Sequence, residues 1–131
     1  MSYPHDDQYH QEFDLEKIGV LSRHTHGVIA NILAALPIPI IVTPLALADP
    51  DDALDEMASA RTAMHDMPIG EAIGDAVVAV LLGWLTAVTI AAVEPDEDGT
   101  DDWILEAAYY QMLATELRAH LALDMVTSIR R

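Results

Sequence analysis

The chain has 131 residues, enough for one domain, with 52 % hydrophobic residues and a formal net charge of −16. Twenty-two acidic side chains stand against six lysines and arginines, a balance that argues against direct nucleic-acid binding because phosphates repel an acidic surface. Cysteine is absent, which excludes disulfides, thiolate metal sites, iron–sulfur clusters and cysteine nucleophiles.

Residues 1–11 are polar and lack periodicity, so they read as a flexible tail and not as a signal peptide, with a cytoplasmic start as the default. Residues 12–131 read as a single helical domain. From about Glu12, Leu15, Ile18, Leu21, Thr25, Val28, Ile32 and Leu36 recur at spacings of three or four, one face of a helix. Pro37 ends it, since the residue before a proline avoids the α region. Pro37 and Pro39 then predict an extended apolar strap over 37–48, with Thr43 capping a short turn that has Pro44 at its first position.

Asp49-Pro50-Asp51-Asp52 is a helix start: a capping residue, a proline at the first position and acids in the first turn. The helix that follows carries Ala53, Met57, Ala60, Met64 and Met67 on one face, a thin stripe that predicts a peripheral position. It ends near Asp66, and Pro68 opens the next helix.

Residues 70–93 form a helix-like run of 24 residues without a proline, and Ala76 to Val93 carries no charge. At ~1.5 Å per residue it spans about 36 Å. A helix apolar all round is central in a bundle or lies within a bilayer. Ala72, Ala76, Ala79, Gly83 and Ala87 give it a small face that lets another backbone come close. Glu94–Asp102 reads as a solvated loop. The last helix runs from about Asp102 to Ile129, with Trp103, Ala107, Tyr110, Ala114, Leu117 and Leu121 on one apolar face, which Ile104, Ala108, Met112, Ala119, Leu123 and Val126 widen. The predicted fold is all-α: a compact bundle of about four helices, a Pro-rich strap and a central, nearly all-apolar helix.

Little in the chain points to chemistry. With Gly99 at the sixth position, Glu94, Asp96 and Asp98 fall where a calcium loop places its first ligands, but Leu105 occupies the twelfth position, which requires a bidentate Glu. His24 and His26 are two apart and so diverge on a helix, whereas helical zinc sites use a spacing of four. Glu116 and His120 have that spacing and read as a helix-surface pair. Asp75 and Asp124 are the acids nearest to apolar surroundings, though each reads better as a helix-end or surface acid than as a raised-pKa acid. No nucleophile elbow, phosphate loop or dinucleotide pattern occurs. No enzyme, cofactor or metal is therefore predicted.

The expected function is that of a non-catalytic helical subunit, cytoplasmic or virion-associated and of an accessory or viral structural type. It would act by burying helix surface against copies of itself or a protein partner, through Ala76, Ala79, Gly83, Trp84, Ala87, Trp103 and Tyr110. So much apolar content exceeds what one small core readily hides. One alternative is a two-span membrane hairpin, with spans at 27–48 and 73–93, a layout similar to that of holin-type proteins and accessory membrane subunits. Another is an acidic mimic of nucleic acid that blocks a basic partner, disfavoured because the acids cluster in loops.

Overall fold

A computed structural model of the chain describes residues 15–92 and 102–129. The expected tail at 1–11, the start of the first helix and the acidic loop around Gly99 lie outside the described residues. Among the described residues there are four α-helices and no strand: α1 (Leu15–Ala34), α2 (Pro50–Ala63), α3 (Glu71–Ala91) and α4 (Asp102–Ile129). They pack against one another as an all-α bundle. α3 touches each of the other three helices, and α4 lies along both α3 and α1.

The first face of α1 goes inward as its spacing dictates: Ile18, Thr25, Val28, Ile32 and Leu36 are buried, although Leu15 at its start is exposed. The helix stops at Ala34, just before Pro37, and the chain runs on extended to a short 3-10 turn at Leu45–Leu47. Val42 is the buried residue of this strap, while Ile38, Ile41 and Leu47 are exposed. Two amides fasten it. The Ile40 N–H donates to the Leu33 carbonyl at 3.0 Å, and the Thr43 N–H donates to the Glu56 carboxylate of α2 at 2.9 and 3.3 Å. Thr43 thus does not cap the turn with its side chain; Pro44 occupies the cap position and Thr43 is drawn to α2 instead. These bonds from Thr43 hold the Glu56 carboxyl below its ordinary value.

Asp49 takes the cap position of α2 with Pro50 following, but its side chain makes no capping hydrogen bond; its backbone carbonyl accepts from Ala53 at 2.9 Å. The apolar stripe is buried in full: Ala53, Met57 and Ala60 on α2, which ends at Ala63 and not near Asp66, Met64 in the 3-10 turn Met64–Asp66, and Met67 just after it. Pro68 lies ahead of α3, which begins only after Gly70, its cap residue.

Trp84 anchors the middle of the bundle. It is 2 % exposed, its indole N–H donates to the Ser22 carbonyl of α1 at 3.1 Å, and the His26 ring meets it edge-on with centroids 5.5 Å apart. Burial pushes the His26 imidazole below its ordinary value of 6.5, with Glu56 acting weakly in the opposite sense. Between the lowered folded value and the ordinary one, the unfolded chain binds more protons than the folded chain. Stability is therefore expected to fall as the pH drops below about 6.5, the unperturbed histidine value. Thermal unfolding at pH 7.5 and 5.5 checks this: His26→Gln should flatten the difference, and an unchanged difference would place the acid sensitivity elsewhere.

Candidate functional site

α4 carries two heptad seams on opposite sides. The inner one runs through Ala108, Met112, Thr115, Ala119, Ala122 and Val126, all buried. It is built mostly from small side chains, and this is what admits α3. A Cβ on Gly83 would meet Thr115, with its Cγ2 at 3.3 Å and its hydroxyl nearer still. The glycine thus lets the two helices come close at this point. The Thr115 hydroxyl donates to the Gln111 carbonyl of its own helix at 2.8 Å, so it is satisfied without a partner on α3.

The outer seam is the face that sequence periodicity ranks first. Trp103 is 64 % exposed, Tyr110 51 %, Leu117 60 % and Leu121 65 %. Ala107 and Ala114 lie between them, half-buried. Tyr110 stacks edge-on against Tyr109, centroids 5.4 Å apart, which fixes its ring at the surface. Large and small residues therefore alternate along the seam from Trp103 to Leu117, and Leu121 and Asp124 end it.

The seven residues expected to carry association do not share one surface. Gly83, Trp84 and Ala87 are buried within the fold, Ala76 is half-buried, and Ala79, Trp103 and Tyr110 are exposed. The small face of α3 is thus divided: its C-terminal half is covered and its N-terminal half, with Ala72 and Ala79, is open. The outward side of α3 also carries Asp75, Leu82, Thr86 and Thr89, all exposed. The two threonine hydroxyls turn back to the Leu82 and Leu85 carbonyls at 2.7 Å. α3 is the one helix among the described residues that is long and apolar enough to cross a bilayer, and 33 % of its apolar window is buried inside the fold.

The remaining candidates fall apart or come together as follows. His24 and His26 diverge, the first exposed and the second buried. Asp75 and Asp124 are exposed. Glu116 and His120 approach to 3.9 Å. The structure adds His24 to that pair, its ring centroid 6.0 Å from that of His120. Ninety-odd residues of chain separate the two histidines, so no local pattern could have shown it. Comparison of the chain with protein families, with curated proteins and with solved structures finds no match to any of them.

Proposed function

We propose that this chain is a non-catalytic helical subunit whose outer α4 seam pairs with the same seam of a second copy. The observation that supports this is the exposed heptad of Trp103, Tyr110, Leu117 and Leu121. Such a repeat of apolar residues is what a two-helix interface uses. The alternation of bulk also selects a direction. In an antiparallel pair, Trp103 faces Leu121 of the second copy, Tyr110 faces Ala114 and Leu117 faces Ala107. Large meets small in two of the three layers, as close packing requires. In a parallel pair Trp103 would meet Trp103, Ala114 would meet Ala114, and Asp124 would meet Asp124, leaving a crowded end, a void and a like-charge contact. The helix dipoles also favour the antiparallel arrangement.

Covering the four large residues would bury roughly 500 Å² per copy, which brings the total near the ~1,000 Å² that a specific interface needs. A modest affinity follows, and with −16 on each copy it should strengthen as salt screens the repulsion. In the hairpin alternative, the first span at 27–48 would have to include the strap, which has no α-helix between Ala34 and Pro50.

Leu117→Lys tests the reading, since it places a cation at the centre of the seam while touching no buried site. Light scattering after gel filtration without detergent should show a dimer for the native chain and a monomer for the variant. The variant's melting temperature at low concentration should stay within about 0.5 kcal/mol equivalent of the native chain. A native monomer at high concentration and moderate salt, a dimer unaffected by Leu117→Lys, or recovery only from membranes would overturn the proposal.

A further inference from the structure

His24, Glu116 and His120 meet on the side of the bundle where α1 lies along α4. One donor atom from each residue lies within 4.8 Å of the other two. Glu116 Oε1 is 3.9 Å from His120 Nε2, and the two imidazole rings are tilted by 43°. We propose that these three side chains form a binding site for a single borderline divalent transition ion, Zn²⁺ or Co²⁺, that clips α1 to α4.

The donor set points to that class of ion. Two imidazole nitrogens and one carboxylate oxygen suit zinc and its first-row neighbours, with a fourth position left for water. Calcium and magnesium need many hard oxygens, and the set offers too few of them. The spacing fits as well: Glu116 and His120 are four apart and so project from one face of α4. Metal–ligand bonds of about 2.0–2.2 Å place donors in a tetrahedral site roughly 3.3 Å apart. The cluster must therefore contract by about an ångström. His24 and His120 are exposed and turn freely toward the ion, while Glu116 is half-buried and supplies the fixed arm.

A plain Glu116–His120 surface pair accounts for 3.9 Å between those two groups but gives no reason for His24 to stand beside them. His26 takes no part, since its ring lies against Trp84. The site lies on the flank of α4 between its two seams and uses none of the four large residues proposed to pair, so separate variants test the two proposals.

Calorimetric titration of the metal-free full chain with ZnCl₂ tests the site, together with thermal unfolding and the visible spectrum of the Co²⁺ form. One high-affinity equivalent is expected. Zn²⁺ should raise the melting temperature, because an ion bound only by the folded chain stabilises it. His24→Ala, Glu116→Gln and His120→Ala should each weaken that equivalent by about tenfold or more and abolish most of the thermal shift, because each removes one of three ligands. The metal-free variants should melt with the native chain, since the two histidines are exposed, and His65→Ala should bind as the native chain does. Co²⁺ should give the intense visible bands of a four-coordinate site, and these should be lost in His24→Ala. Zinc affinity unchanged in His24→Ala or His120→Ala, or no thermal shift of the native chain at a Zn²⁺ concentration that saturates binding, would overturn the proposal.

Discussion

Gly83→Leu is expected to destabilise the fold by about 3 kcal/mol, the upper part of the range for overpacking a filled site. The reason is local. A single Cβ at position 83 already runs into the Thr115 side chain, and three further carbons have no cavity to enter. α3 and α4 must then separate, and the buried inner seam of α4 separates with them. Gly83→Ala should show the same effect at smaller size, about 1 kcal/mol. Combining it with Thr115→Ala should recover most of the loss, because that change removes the atoms in the way. Chemical denaturation of the four proteins forms a double-mutant cycle. Additive losses would mean that Gly83 and Thr115 do not limit the helix approach. The oligomer should be unaffected by the double substitution, since the contact lies within one copy.

Trp84→Ala should be more damaging, at about 3–5 kcal/mol, as for other buried aromatic residues cut to alanine. It removes the largest fully buried side chain of the core and leaves the Ser22 carbonyl without the indole N–H that it accepts from. Trp84→Phe should recover part of the packing but not that bond. Both variants expose the His26 ring on the side where the indole lay. The acid sensitivity assigned to His26 should therefore shrink in both, and urea unfolding at pH 7.5 and 5.5 reads the two effects together. A Trp84→Ala variant that unfolds at native denaturant concentration would remove the indole from the centre of the fold.

Much of this architecture is legible in the residues. The stripe from Ala53 to Met67 goes inward as its spacing requires, because α2 is strongly charged elsewhere and only one face is fit for burial. Pro37 and Pro39 keep the strap out of any helix by covalent geometry alone. Legibility fails where a helix is apolar on more than one side. In α4 the spacing gives one broad apolar face and does not say which part of it meets α3. The buried seam is the smaller one, because packing at the α3 crossing is limited by distance, and Gly83 with Thr115 sets that distance. On α3 the small face reads as a single contact surface, but Ala72 and Ala79 fall at its edge, on the exposed side with Asp75, Leu82 and Thr86, and stay open. The meeting of His24 with Glu116 and His120 depends on how α1 lies along α4, a relation that no helical spacing encodes.

The attachment of α2 has a consequence of its own. Among the described residues its main helical neighbour is α3, and it is also held to the strap through the Thr43 amide and the Glu56 carboxylate. Asp49, Asp51, Asp52 and Asp55 crowd its exposed side, with Arg61 as the one basic residue of the helix. α2 is therefore the most densely charged of the four helices, with four acids and one arginine among its fourteen residues. Local opening begins where packing is thinnest, so added salt is expected to change hydrogen exchange in the strap and α2 before it changes exchange in α1, α3 and α4.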